Sequence, residues 1–466
     1  MRLTPRGEGL PPDGEPRPFL REMNWAFAVA GAIYLMLFVY FAARASILAP
    51  YSDMIDLVGD YFHAADLGGP VEYLLQPHNF HRLVGLRTLI ALDVGVFRGT
   101  GLPLVAAAAT FQAGVAMLLM SEARRVAGAL AVPLSALAAM LAYLTANAGD
   151  VSQPVNTAYI HATFFSLLAL AAAASASTQS GGWRGWASAI AWASAASFSL
   201  AVALVVWPIL ALFAWRGKAS WRTITLVAIA GGAFYLAFMS GQSASSQLPV
   251  LDLGKLIKIA EYFLAYLGLP WVRGTKLMGE ALGAGLLAAS LFALVRFGLA
   301  DTNRTQRLAI GMILFSLSGA ALAAVGRSSM LPEVDVPVRY TILVTPLHAG
   351  LLLLAAPTIV RIWERRPRLA SLGLIAALAL LLVQQVVVGM VIVRAAERAR
   401  QTIAQFHLGE RTPEMLQLVH PDLMHVDMRY ADMRRRGVFL QWICEPGGSP
   451  PPEGVKDRGP LADRRC

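Results

Sequence analysis

Nine apolar stretches, each close to the length that crosses a bilayer, leave this chain few folds to adopt. They cover residues 25–43, 102–121, 129–146, 158–177, 223–240, 278–295, 308–325, 340–357 and 369–393. About 20 apolar residues cross a hydrocarbon core as a helix. Inside that core every backbone N–H and C=O needs a partner within the protein, which favours helices. The stretch 186–215 is too long for one crossing and has a Ser-rich middle (Ser194, Ser197, Ser199), so it reads as a tight pair of short helices. The expectation is an all-α, polytopic integral membrane protein with about eleven transmembrane helices. Composition agrees, with 56% hydrophobic and 15% charged residues and a mean hydropathy of +0.56. A soluble chain carries roughly a quarter charged residues. The net charge of +10 therefore belongs to cytoplasmic loops and lipid headgroups, not to nucleic-acid binding.

Orientation rests on one ambiguous segment. Residues 83–97 are short for a span and carry Arg87 and Asp93. If they lie on the outer face, the cytoplasmic loops hold Arg124, Arg125, Arg184, Arg216, Lys218, Arg222, Arg296, Arg304, Arg307, Arg361, Arg365, Arg366 and Arg368. The later outer loops then hold only Lys255, Lys258, Arg273, Lys276, Arg327 and Arg339. A spanning 83–97 inverts this bias, against the positive-inside rule. The N-terminus is accordingly expected in the cytoplasm. Residues 1–24 form a polar tail without a cleavable signal pattern, so the first helix is retained. A transmembrane domain covers 25–393, with a large first outer loop at 44–101 carrying surface helices. A small outer-face segment spans 394–444, and a Pro/Gly-rich tail expected to be disordered spans 445–466. Cys444 and Cys466 have no metal-ligand spacing; a bridge between them is open in an oxidising compartment.

This topology gathers the unusual polar clusters on one face. Asp53, Asp56 and Asp60 follow helical spacing and share a helix face, suited to general acid–base work. A solvated amphipathic helix is the plainer reading, and Asp60 and Asp66 fit it. His78, Asn79, His81 and Arg82 suit hydrogen bonding to a sugar or phosphate; two His at i and i+3 with Asp53 or Asp56 also admit a divalent metal. Asn147, Asp150 and Gln153 form a turn or a polar binding loop, followed by Tyr159 and by His161, which reads as a satisfied core histidine. Arg327 and Arg339, with Tyr340, stand at helix ends against the positive-inside trend. They fit either snorkelling or a two-arginine phosphate clamp, with Glu333 and Asp335 as competing partners. Residues 252–267 set Lys255, Lys258 and Glu261 against Leu256, Ile259, Ala260, Phe263 and Leu267, an amphipathic interfacial helix that serves as surface anchor, lid or lipid rail.

Three of these features together resemble the GT-C superfamily of polytopic glycosyltransferases. They are Ser52-Asp53-Met54-Ile55-Asp56 directly after the first helix, Pro77-His78-Asn79-Phe80-His81-Arg82, and Gly326-Arg327 followed by Arg339-Tyr340. The His-Asn-x-His-Arg stretch is similar to one in uncharacterised bacterial membrane proteins of this kind, in which Glu is the expected residue at x; Phe80 stands there in this chain. The resemblance implies a bacterial inner-membrane enzyme of the cell envelope, with its site and C-terminus on the periplasmic side. It would move a sugar from a polyprenyl-phosphate donor, a membrane lipid, to an unknown acceptor with inversion. Asp53, then Asp56, takes the general-base role; His78, Asn79, His81 and Arg82, with Asn147, Asp150 and Gln153, bind substrate; Arg327, Arg339 and Tyr340 bind phosphate. A divalent metal stays open. A flippase or transporter of a lipid-linked saccharide and a non-catalytic envelope-assembly scaffold are the alternatives.

Overall fold

The computed structural model describes residues 18–66, 68–78, 81–178, 183–240, 252–272, 276–298, 302–327, 336–407, 412, 415, 418–419 and 422–440. Residues 1–17, Asn79, Phe80, Glu333, Asp335, both cysteines and the 445–466 tail lie outside them. All regular structure among the described residues is helical. Eight helical stretches are long and apolar enough to cross a membrane: Phe19–Ala45, Leu102–Ser152, Pro154–Thr178, Trp221–Met239, Lys276–Gly298, Arg304–Gly326, Val338–Arg365 and Pro367–Phe406. The protein is an all-α polytopic membrane protein.

The first long helix is α1 (Pro18–Ala45). Three shorter helices follow, α2 (Asp53–Asp66), α3 (Pro70–Leu75) and α4 (Val84–Phe97). At 14 residues, α4 extends about 21 Å, short of a core about 30 Å thick. Both of its charges turn inward. Arg87 is fully buried and ion-paired to Asp60 at 2.9 Å. Asp93 accepts from Gly101 N at 3.0 and 3.1 Å and from Thr100 Oγ1 at 3.2 Å. Gly101 sits at φ +73°, a conformation that favours glycine, so the carboxylate fastens a tight turn into the next helix.

That helix, α5 (Leu102–Ala127), folds back at Gly128 onto α6 (Ala131–Ala142). Above α6 the chain breaks into short pieces around α7 (Ala148–Ser152) before α8 (Thr157–Thr178). The freed backbone groups at this break need partners at membrane depth. Gln385, fully buried on the last long helix, supplies them: its Oε1 accepts from Thr145 N at 2.8 Å, and its Nε2 donates to the carbonyls of Tyr143 and Tyr34 at 3.2 and 3.3 Å. The Ser-rich middle of 186–215 separates α9 (Trp183–Ser197) from α10 (Val206–Arg216), and α11 (Trp221–Met239) follows.

The amphipathic segment forms α12 (Leu253–Gly268), started by Asp252, whose carboxylate accepts from Lys255 N at 2.7 Å. It packs closely on α13 (Lys276–Gly298). A Cβ at Gly268 would lie 2.0 Å from the Gly279 carbonyl oxygen, and one at Gly283 would lie 1.9 Å from that of Leu264. Gly279 and Gly283 make a small-xxx-small contact of the kind that lets membrane helices touch backbone to backbone. Last come α14 (Arg304–Gly326), α15 (Thr341–Arg365), α16 (Pro367–His407) and α17 (Leu423–Arg435). With 41 residues α16 is about 61 Å long, twice the thickness of a hydrocarbon core. Its far part meets the end of α1, where Arg44 pairs with Glu397 at 2.6 Å.

Beyond α16 the chain returns onto the first loop and holds α2. Tyr430 Oη donates to the Pro50 carbonyl at 2.7 Å, and Ser52 N donates to that of Val419 at 2.6 Å. Arg436 pairs with Asp66 at 2.5 Å and with Asp432 at 3.2 Å. At the opposite end of the bundle, buried Glu122 on α5 pairs with Arg304 on α14 and accepts from Thr305 Oγ1 at 3.1 Å.

Candidate functional site

The first loop begins with Ser52 at φ +51°, and α2 starts immediately after it. Asp53 and Asp56 lie in the first turn, where the helix N-terminus favours carboxylates. Met54, Ile55, Leu57 and Val58 are buried, which fixes the acidic face outward from the core. Asp53, Asp56 and Asp60 all act electrostatically on His78. His78 and His81 face each other across a reciprocal backbone pair, N to O 2.8 Å in each direction, and opposed residues in such a pair share a face. Burial pushes the His78 imidazole down, with Asp53 opposing. Burial, aided by His78, Arg339 and Arg327, pushes His81 down to about 4. His81 is therefore neutral at physiological pH, and its Nδ1 has no hydrogen-bond partner among the described residues.

The late arginines reach the same place. A turn at Val338–Tyr340 precedes α15 and packs against α7, where Gly149 approaches Val338. Arg339 donates from Nε to Tyr159 Oη at 3.0 Å, and Arg327 donates from Nε to Tyr340 Oη at 3.0 Å. The Arg327 guanidinium also lies over the Tyr340 ring, 5.2 Å from its centroid. Asp53 acts on Arg339, on Tyr159 and on Tyr51, whose phenol burial pushes up to about 12. Carboxylate, neutral histidines and two cations thus converge from α2, the loop before α4, and the turns flanking α14 and α15.

The other predicted residues divide. Asp150 is buried and its charge acts on Tyr266. Asn147 is also buried and donates from Nδ2 to the Ala142 carbonyl at 3.0 Å and to Thr345 Oγ1 at 3.2 Å, clasping α7 to α15. Gln153 Oε1 accepts from Asn156 within its own turn at 2.9 Å. Arg82 uses Nε and Nη2 on the carbonyls of Ala237 and Ser240 at 3.0 and 2.8 Å, and Nη1 on that of Leu75, so it ties the loop to α11. Asp60 is not a freely solvated acid but the partner of buried Arg87, and Asp66 is the partner of Arg436. His161 is buried, as expected, yet neither ring nitrogen finds a partner among the described residues; it packs edge-on to Phe111 at 4.4 Å. No three His, Cys, Asp or Glu side chains among the described residues gather as a metal set, so the histidine pair fits hydrogen bonding better than a divalent ion.

Sequence reasoning named Tyr159 and Tyr340 but missed two further tyrosines of this cluster. Tyr262 and Tyr266 on α12 are buried, and the Tyr266 ring lies 5.3 Å from that of Tyr340. Their i, i+4 spacing is the available signal, masked because both rings also fit the apolar face of an interfacial helix. No protein-family model, curated protein or solved structure matches the chain.

Proposed function

We propose that this protein is a GT-C-like membrane glycosyltransferase of about eleven spans, with a cytoplasmic N-terminus and its site on the outer face of a bacterial inner membrane. The observation that carries the reading is the placement of Asp53 in the field of Arg339, with Arg327 joined to the same group through Tyr340. Asp53 removes the proton from an acceptor hydroxyl. The acceptor oxygen bonds to the anomeric carbon of a polyprenyl-phosphate sugar as the bond from that carbon to the phosphate oxygen breaks. The configuration inverts, and polyprenyl phosphate leaves as an anion stabilised by Arg327 and Arg339. Neutral His81, whose Nδ1 is unpartnered among the described residues, hydrogen-bonds substrate hydroxyl groups, with His78 opposite it. Asp56 stands beside Asp53 as the second carboxylate.

Reconstitution in lipid with polyprenyl-phosphate sugars and candidate acceptors tests the proposal. Sugar on the acceptor together with released polyprenyl phosphate supports it. Transbilayer movement of the lipid without sugar transfer makes the protein a flippase. A reporter fused after Asp66 is expected on the outer side, and a cytoplasmic reporter would end the reading.

A further inference from the structure

Around Arg327 and Arg339, donors outnumber acceptors: Asp53 acts on Arg339 and Asp150 on Tyr266, but several guanidinium and phenol donors are left over. Each guanidinium uses its Nε on a tyrosine, and no hydrogen bond among the described residues engages the Nη groups. Tyr340 Oη accepts from Arg327 and keeps its own hydrogen to donate. On α12, Tyr262 is 4% exposed and Tyr266 0% exposed, and neither hydroxyl has a partner among the described residues. Burial pushes both phenols up, so they remain protonated. The Tyr262 phenol lies in the field of both arginines. Buried hydroxyls without partners are costly, and two guanidinium groups with unengaged Nη donors beside two unpartnered phenol hydroxyls fit a ligand rich in acceptors. Donors arriving from α12, α14 and the turn before α15 suit the several oxygens of a phosphate better than a flat carboxylate.

We propose that Tyr262 and Tyr266 complete, with Arg327, Arg339 and Tyr340, a cradle for a phosphate monoester of a long apolar alcohol. This rests on the glycosyl-transfer reading and adds to it that α12 is a wall of the donor site. The α12–α13 glycine contact holds that wall, and Trp271 just past α12 donates to His348 on α15 at 2.7 Å. On the tyrosine side of α12, Ile259 and Phe263 are partly buried in the same cluster, apolar surface for the alcohol chain.

Binding needs no turnover, which separates this proposal from the reaction. The full chain in detergent is titrated with a short-chain prenyl phosphate, the matching prenol and inorganic phosphate. Tyr262→Phe and Tyr266→Phe keep the rings and remove only the hydroxyls. Each is expected to weaken prenyl phosphate binding about tenfold, as loss of a hydrogen bond to a charged group does, while prenol binding and the melting temperature hold. A double variant that binds prenyl phosphate like the unaltered chain overturns the cradle and leaves glycosyl transfer standing. An unaltered chain that ignores prenyl phosphate overturns both. Inorganic phosphate binding as tightly as prenyl phosphate overturns the lipid as the phosphate's source.

Discussion

Asp53, Asp56 and Asp60 share one helix face, and their surroundings separate them. Asp60 is tied to Arg87, while Asp53 stands toward Arg339 and Tyr159. The sequence made Asp53 and the arginines visible because charges near spanning segments are rare and two of these arginines run against the positive-inside trend. Tyr262 and Tyr266 escaped notice because tyrosine in an apolar helix violates no such rule. The inward turn of Arg87 was equally hidden, since its partner lies 27 positions away. The histidines give a pH prediction. His81 is held near 4 in the fold, below about 6.5 for a free imidazole. The unfolded chain therefore takes up the proton first. Stability is complete above about 6.5 and falls as the pH drops toward 4. Melting temperatures across that window should decline less steeply in His81→Gln; an identical slope would show that another group governs the acid loss.

Elements were legible where pattern and length agree. Most long apolar runs became long helices, but 129–146 forms only the 12-residue α6 before the chain breaks; the Ser-rich stretch broke in two, and 252–267 became an amphipathic helix. The pattern did not reveal how α12 and α13 meet, because glycine adds nothing to an apolar periodicity and its value lies in what is missing. Gly283→Leu would drive a side chain into the Leu264 carbonyl, whereas nothing lies within 4 Å of a Cβ at Gly285. The first variant is expected to lose about 1–3 kcal/mol or more, with weaker prenyl phosphate binding as α12 shifts. Gly285→Leu should leave melting and binding unchanged. Equal behaviour of the two variants would remove the glycine contact as the reason for the position of α12.

The whole molecule closes on its first loop. The segment after α16 holds α2 through Tyr430, Val419 and Arg436, an arrangement invisible in sequence because it joins residues about 370 positions apart. Deleting residues after His407 should leave the bundle inserted, since the Gln385 and Glu122 contacts lie outside the deleted part. The loss belongs to the site, because α2 is then held from one side only. A chain lacking these residues is expected to keep α1 to α16 and prenyl phosphate binding but to lose most sugar transfer. Full transfer without them would confine the segment to another role.

The proposed mechanism turns on Asp53 in the field of Arg339, with Arg327 bonded to Tyr340 nearby. Sugar transfer by the purified protein in lipid, compared between the unaltered chain and Asp53→Asn, tests it most directly. Loss of a general base lowers the rate by about 10² to 10⁴, with donor binding retained and Asp56→Asn affected less. Unchanged transfer in Asp53→Asn would contradict the assignment of the base and with it the proposed mechanism.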